Sequence, residues 1–330
     1  MNPYLQSLLL GIVEGLTEFL PVSSTAHLRI SQALLNIDLD SGYWKMYSIV
    51  IQLGAILCLP IYFRRRIWKF LSTFPAGERG DRTVFTHPLT LVAAAFVVTA
   101  LPAWRLHKLI GKNLESLTVM GSALLIGGVV MWIVDRLFGW TTKAAVGVPG
   151  SEVVAIAAGQ PDVPQPLPVN DAPAKEHPLL ATTERIEDMK WWQAIWIGAV
   201  QILSAVFPGT SRSMCTIAAG QVTGMSRPSA LEFSFLLSIP TMIVATGYEF
   251  LKTIVLKKGD DPGETLPPIE MDSQKWIILA IGFAVSFVVA WAVVAWFMAW
   301  VRRRGFAPFA IYRIILGIAV LAWVFRHPQG

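Results

Sequence analysis

Two carboxylates lie close together in an otherwise apolar stretch near the start of the chain. Glu14 and Glu18 are four residues apart, so on a helix both side chains project from the same face. A carboxylate in an apolar helix is costly unless it is paired or binds a metal. Like charges this close favour a shared proton or a bound cation, and hard oxygen ligands suit Mg²⁺ or Ca²⁺. The pair predicts a cation site, and the alternative is two acids facing water at a helix end.

Hydroxyl groups and a histidine follow this acidic pair directly. Ser23, Ser24 and Thr25 come two residues after Pro21, and His27 lies just beyond them. Hydroxyls at the start of a helix add donors to the free N–H groups that bind anions there, although serine and threonine also act simply as helix caps. His27 is a candidate general acid or base, or else a hydrogen-bonded core residue.

A second polar turn occurs in the other half of the chain and contains an arginine. It consists of Pro208, Gly209, Thr210, Ser211, Arg212 and Ser213. The planar guanidinium of Arg212 suits bidentate phosphate binding, and the neighbouring hydroxyls are further candidate phosphate donors. A structural role for Arg212 is to pair with Glu14 or Glu18. If the two turns meet, their combined groups favour phosphoryl chemistry.

Composition places these polar turns inside a membrane protein. The chain of 330 residues is 54% hydrophobic and only 15% charged, whereas soluble domains carry roughly 25% charged residues. Its basic residues cluster at the ends of apolar runs, which indicates membrane anchoring and not nucleic-acid binding. Cys58 and Cys215 both lie in apolar segments, so neither a disulfide framework nor a CxxC metal site is indicated. No basic residue precedes Arg29, so a cleavable signal peptide is not expected.

Six long apolar segments predict transmembrane helices, since about 20 apolar residues span a bilayer. They are residues 44–63, 87–105, 116–135, 229–251, 276–300 and 306–325, with approximate ends. Residues 4–35 and 192–224 are also apolar, but each is interrupted by one of the polar turns. Polar turns at membrane depth survive only when they are buried in protein or line a wet cavity. We therefore predict that both segments are re-entrant.

The two halves of the chain resemble each other in sequence. Without gaps, Gln6 aligns with Gln193, Gly11 with Gly198, and Ser24 with Ser211. Each copy holds a broken segment followed by three spans, and because three is odd, the second copy must enter the membrane in the opposite sense. The sequence thus predicts an all-α polytopic membrane protein with an inverted-topology repeat, a design that places a site where the broken helices meet.

This repeat divides the chain into three regions. The first repeat is predicted at 1–138 and the second at 191–330, with a polar, Pro- and Ala-rich insertion at 139–190 between them. The insertion cannot bury enough apolar surface to fold alone, so a flexible cytoplasmic linker is expected; a folded regulatory module is the alternative.

The positions of lysine and arginine predict the orientation. Arg64, Arg65 and Arg66 open the 64–87 connection, and three more arginines lie in the 301–305 connection. Basic connections stay on the cytoplasmic side. Both termini and the 252–275 loop are then expected outside, although Arg105, Lys108 and Lys112 near an outer end weaken this orientation slightly.

The runs 14–27 (EGLTEFLPVSSTAH) and 208–213 (PGTSRS) closely resemble the two signatures of the bacterial undecaprenyl pyrophosphate phosphatases of the bacitracin-resistance type. Residues 51–56 and 233–240 add support, and the resemblance covers the whole chain apart from the insertion. The chain departs from the family at Ala26 and Met214, where glycine is usual.

The resemblance implies an inner-membrane enzyme that removes the terminal phosphate of undecaprenyl pyrophosphate in a site opening toward the periplasm. It also implies roles for individual residues. Glu14 and Glu18 become the acidic pair that binds the divalent cation, Ser24 and His27 become catalytic, and Arg212 holds phosphate. Ser23, Thr25, Thr210, Ser211 and Ser213 are the remaining candidate phosphate-binding residues.

Three questions stay open at this stage. Either Ser24 or a water is the nucleophile, and either His27 or a carboxylate takes its proton. A polyprenyl-phosphate transporter is the alternative function, because inverted repeats with broken helices are typical of alternating access. The protein is expected to act as a monomer or a homodimer.

Overall fold

The computed structural model describes residues 1–37, 41–111, 116–140, 182–252, 269 and 271–326, without side chains for residues 107–111. The described chain is dominated by α-helices, and six of these are long and apolar enough to cross a membrane. They are α3 (Gly42–Tyr62), α5 (Pro88–Gly111), α6 (Leu117–Phe138), α9 (Arg227–Phe250), α10 (Ser273–Val301) and α11 (Ala307–Arg326). These helices confirm the six predicted spans.

Both interrupted segments form helical hairpins, as predicted. The first contains α1 (Pro3–Thr17) and α2 (Ser24–Leu34), and the second contains α7 (Trp191–Val206) and α8 (Arg212–Val222). Gln6 Nε2 donates to the Leu35 carbonyl at 3.2 Å, so the end of α2 returns to the start of α1. Gln193 Nε2 closes the second hairpin in the same way, through the Thr223 carbonyl at 2.9 Å. Each hairpin therefore re-enters on the side from which it started.

Small residues allow each hairpin to pack tightly against a long helix. A Cβ atom at Gly15 of α1 would lie 2.8 Å from the Ser286 carbonyl oxygen of α10. At Gly198 of α7 it would lie 2.4 Å from the Ala95 carbonyl oxygen of α5. Glycine is needed at both positions because the backbones approach too closely for a side chain, a common device between membrane helices.

Each hairpin packs on a long helix of the other half of the chain. Helix α1 packs on α10 of the second half, and α7 packs on α5, which is the counterpart of α10 in the first half. The last helices of the two halves, α6 and α11, run antiparallel: Gly121 lies against Leu321, and Gly128 against Ile314. This antiparallel pair supports an inverted relation, which stays a prediction for the halves as a whole.

The gapless alignment is one residue out of register at the breaks. Ser23 precedes α2 with φ 74°, and Ser211 precedes α8 with φ 71°. The structurally matching positions are therefore Ser23 and Ser211, whereas the alignment paired Ser24 with Ser211. Between the matching glutamine and the second helix of its hairpin, the first half therefore has one residue fewer than the second half.

Ion pairs gather the arginine-rich connections at one end of the bundle. Arg66 belongs to α4 (Arg64–Thr73), a short helix that begins directly after α3. Its guanidinium contacts Glu187 at 2.6 Å and Glu232 at 2.7 Å, and Glu232 is also within electrostatic range of Arg302. The 64–87 and 301–305 connections thus share one end, as the charge pattern predicts.

The structure describes both ends of the predicted insertion at 139–190. Residues 182–190 are packed against the second half: Ile186 and Met189 are buried, and Thr183 bridges to Met225. Residues 141–181 of the insertion and most of the 252–275 loop lie outside the described residues, so the insertion stays a prediction.

We expect the end that carries α4 to be cytoplasmic and the opposite end to be periplasmic. In a background lacking Cys58 and Cys215, Ser72→Cys and Ser273→Cys place exposed cysteines at the two ends. An impermeant maleimide should label Ser273→Cys in intact cells and Ser72→Cys only after permeabilisation. Labelling of Ser72→Cys in intact cells would reverse the orientation.

Candidate active site

The two helix breaks meet inside the bundle through a buried ion pair. Glu18 follows the last turn of α1, and Arg212 is the first residue of α8. Arg212 Nη2 donates to Glu18 Oε1 at 2.9 Å, and the two side chains are only 12% and 4% exposed. The sequence left this arginine free to pair with Glu14 or with Glu18, and the structure selects Glu18.

Glu18 also binds the hydroxyl of Ser24. Ser24 begins α2, and its Oγ donates to Glu18 Oε2 at 2.6 Å. One carboxylate therefore accepts from a hydroxyl of its own hairpin and from an arginine of the other hairpin. This geometry gives Ser24 a carboxylate positioned to take its proton.

Glu14 has no hydrogen-bond partner among the residues that the structure describes. It is fully buried, and neither of its carboxylate oxygens has a hydrogen-bond partner within the described part of the chain. Arg212 Nη1 likewise has none there. A buried charged group without a partner is costly. The two oxygens of Glu14 and the Nη1 of Arg212 therefore indicate a site for a charged ligand.

His27 lies at the edge of the site and does not bind Ser24 in this arrangement. Its Nδ1 is 2.7 Å from the Ser23 carbonyl oxygen, and its Nε2 is 2.7 Å from the Tyr312 hydroxyl. A carbonyl can only accept, so Nδ1 carries the proton, and in a neutral imidazole Nε2 accepts from Tyr312. His27 therefore connects the first break to α11 through Tyr312.

The hydroxyls of the second break stabilise the turn itself. Thr210 Oγ1 donates to the carbonyl three residues earlier at 2.7 Å, and Ser211 Oγ accepts from the N–H three residues later at 3.4 Å. Ser213 Oγ donates to the Leu20 carbonyl at 3.1 Å, which joins the two breaks. These three predicted phosphate-binding residues thus all have partners within the protein.

The remaining predicted phosphate-binding residues, Ser23 and Thr25, flank Ser24 at the start of α2. Ser23 is buried and has a positive φ of 74°, a conformation that is uncommon outside glycine and that concentrates at functional sites. Thr25 is half-buried in the first helical turn. Both lie where the free N–H groups of a helix start bind anions.

Arg313 holds both breaks in place, and the sequence analysis did not single it out. Its guanidinium is buried within α11 and donates to four backbone carbonyls at 3.0 to 3.1 Å. These carbonyls belong to Pro21 in the first break, Gly209 and Thr210 in the second break, and Ala123 of α6. The available signal was a lone arginine within a predicted span, which is a functional-site indication in itself.

The carboxylates of this site fit a divalent cation only when a phosphorylated ligand supplies further oxygen atoms. Within the described residues no group of three or more histidine, cysteine or acidic side chains could hold a metal ion. Glu14 and Glu18 supply two carboxylates, and Mg²⁺ typically binds through one or two carboxylates together with substrate phosphate oxygens and water. The open oxygens of Glu14 therefore fit a cation shared with a phosphorylated substrate.

The two departures from the family signatures have different surroundings. Ala26 is fully buried within α2. Met214 is buried in the core, and its Cε lies 2.9 Å from the point where a Cβ at Gly127 would stand. The absence of a side chain at Gly127 makes room for the methionine, so its bulk is accommodated against α6.

The chain is similar in sequence to known proteins over nearly its whole length. Residues 7–319 match the family described as bacitracin resistance protein BacA. A protein of Koribacter versatilis (strain Ellin345), named undecaprenyl-diphosphatase, is 58% identical over 327 residues, which cover 99% of this chain and 100% of the relative. Proteins of the same name from Rhizobium etli (strain CIAT 652) and Caldanaerobacter subterraneus subsp. tengcongensis are 36% and 33% identical, respectively, over 96% and 97% of this chain and 96% of each relative.

The match covers both breaks and every predicted site residue, and the similarity to the relatives extends along nearly the full length of the chain. The chain belongs to the bacitracin resistance protein BacA family.

Proposed function

We propose that this chain hydrolyses undecaprenyl diphosphate to undecaprenyl phosphate and phosphate, which recycles the lipid carrier of peptidoglycan synthesis and gives bacitracin resistance. The observation that carries the proposal is the buried contact of Ser24 and Arg212 with one carboxylate, Glu18, beside the unpartnered Glu14. A hydroxyl, a proton acceptor and a phosphate-binding cation are the groups that phosphoryl transfer needs.

Arg212 and the two helix starts bind the diphosphate in this proposal. The free Nη1 of Arg212 provides a donor for a terminal phosphate oxygen, and planar guanidinium groups bind phosphate in a bidentate manner. The N-termini of α2 and α8 add N–H groups and the positive ends of their dipoles. Substrate binding then replaces part of the contact between Arg212 and Glu18, which leaves Glu18 free to act as a base.

Ser24 is the nucleophile in this proposal, and Glu18 takes its proton. Ser24 Oγ attacks the terminal phosphorus, the bond from that phosphorus to the bridging oxygen breaks, and undecaprenyl phosphate leaves. Water then attacks the phosphoserine, releases inorganic phosphate and restores the serine hydroxyl. The 2.6 Å contact of Ser24 with Glu18 supports serine over water as the attacking group.

Glu14 and Glu18 would hold the divalent cation, Mg²⁺ or Ca²⁺, together with the phosphate oxygens. When bound, the cation neutralises negative charge on the diphosphate as the bridging bond breaks. Glu14 would then have the partner that it lacks among the described residues.

The site is proposed to open toward the periplasmic side of the inner membrane, with the polyprenyl tail in the bilayer. A lipid carrier that only crosses the membrane is the competing function. A carrier has no need for a serine held against a carboxylate, so this contact favours hydrolysis. Phosphate release in detergent, where there are no two sides to cross between, separates the two functions.

Purified protein in detergent should release phosphate from undecaprenyl diphosphate when Mg²⁺ or Ca²⁺ is present. Addition of a chelator should stop this release. Glu14→Gln should lower turnover at least about tenfold, equivalent to roughly 1.4 kcal/mol of transition-state stabilisation, and should raise the metal concentration needed for half-maximal rate. The measurement is a metal titration of wild type, Glu14→Gln and Gln201→Ala, in which Gln201 is the buried residue that aligns with Glu14.

Gln201→Ala is the control because it removes a buried polar side chain at the matching position of the other half. It should keep the wild-type metal dependence. Equal titration curves for Glu14→Gln and wild type would contradict the cation assignment. No phosphate release under any metal condition would contradict the function itself.

Arg212→Lys keeps the positive charge but loses the planar fork, so we expect a folded protein with turnover reduced at least about tenfold. Arg212→Ala should lose both turnover and thermal stability, because it leaves the carboxylate of Glu18 buried without its positively charged side-chain partner. Turnover and melting temperature of both variants, measured side by side, check the role. Near-wild-type turnover of Arg212→Lys would mean that Arg212 only neutralises Glu18.

A further inference from the structure

The short helix α4 occupies a position that fixes its relation to the membrane surface. It begins at Arg64, two residues after the spanning helix α3 ends at Tyr62. Its inner side is tied to the bundle, because Phe70 is buried in the core and Arg66 binds Glu187 and Glu232. The helix is therefore held at the level where α3 leaves the apolar part of the membrane.

The outer side of α4 is divided into an apolar strip and a basic strip. At about 100° per residue, Trp68 and Leu71 project together, on the side away from Arg66. These two side chains are 72% and 55% exposed. Arg65 and Lys69 form a basic strip beside them, and Arg64, at the start of the helix, projects on the same side as Trp68 and Leu71.

The basic strip has charge available for a ligand. Lys69 is paired with Glu78, but Arg64 and Arg65 are exposed and take part in no ion pair within the described residues. Exposed arginines are well hydrated with or without a partner, whereas the exposed tryptophan leaves apolar surface in contact with water. The same combination is favourable at a lipid surface, where aromatic rings sit at headgroup level and basic side chains reach the phosphates.

We propose that α4 lies in the membrane interface and binds anionic phospholipid headgroups. Trp68 and Leu71 enter the acyl boundary, while Arg64 and Arg65 contact the phosphates of acidic lipids such as phosphatidylglycerol. The partner is a lipid surface because the helix is fixed by α3 at headgroup depth and because its free charges are all positive. This contact is separate from the active site, which lies at the two helix breaks.

The depth of α4 can be measured with spin labels on the full chain in vesicles of equimolar phosphatidylcholine and phosphatidylglycerol. Single cysteines replace Trp68, Leu71 or Lys69 in a background without Cys58 and Cys215. Labels at 68 and 71 should be relaxed mainly by oxygen, and the label at 69 mainly by a water-soluble nickel complex. Nickel accessibility at all three positions, or protection from both reagents, would overturn the proposal; the second result indicates a protein contact.

The lipid preference can be measured at the same helix. A bimane fluorophore on Leu71→Cys is quenched by brominated lipid, with either the phosphatidylglycerol or the phosphatidylcholine of the vesicle brominated. Brominated phosphatidylglycerol should quench more strongly. Neutralisation of both charges in Arg64→Gln/Arg65→Gln should reduce the preference, by up to about fivefold for each charge.

Arg79→Gln is the matched control, because Arg79 belongs to the same connection but lies beyond α4 and is near Asp188. It should keep the full preference for phosphatidylglycerol. Equal quenching by the two lipids in the wild-type background, or an equal loss in Arg79→Gln and the double variant, would overturn the proposal. The readout does not depend on enzymatic activity.

Discussion

A helix that breaks inside a membrane exposes backbone carbonyls where no water can bind them, and this constraint governs the fold. Both hairpins break at the same place in the bundle, and Arg313 donates to Pro21, Gly209 and Thr210 there. Unpaired polar groups in hydrocarbon cost several kcal/mol each, so one buried guanidinium offsets a large penalty. The same bonds fix the two breaks against each other and thereby create the site.

Charge balance explains why this site suits a diphosphate. Glu14 and Glu18 face a single paired cation, Arg212, and Glu14 keeps both oxygens without a protein partner. In the proposed function, a phosphorylated substrate with a divalent cation would supply the missing donors and acceptors together. The polar groups are buried among helices long enough to span the membrane, so the lipid tail of the substrate would remain in the bilayer while its headgroup reaches Ser24.

Features that depend on the local pattern of apolar and polar residues could be predicted from the sequence. Contacts that depend on where the backbone carbonyls lie in the fold could not. Apolar run length located the six spans, and proline with clustered hydroxyls located both breaks. Glu14, Glu18 and Arg212 were singled out because charge in an apolar segment is costly, and Ser24 because it belongs to the polar turn that follows. Arg313 and Tyr312 were missed because their partners are carbonyls and a histidine far away in the chain, with His27 and Tyr312 285 positions apart. The one-residue register error at the breaks has a similar cause, since a turn's length is set by its dihedral angles.

The account depends on Arg313 as the group that holds the two breaks together. Arg313→Lys keeps the charge but cannot reach four carbonyls in three segments, and each carbonyl left unpaired costs about 1–3 kcal/mol. Melting temperature and phosphate release should both fall, with turnover reduced at least about tenfold, whereas the exposed Arg326→Lys at the end of the same helix should match wild type. Wild-type stability and turnover in Arg313→Lys would contradict the account.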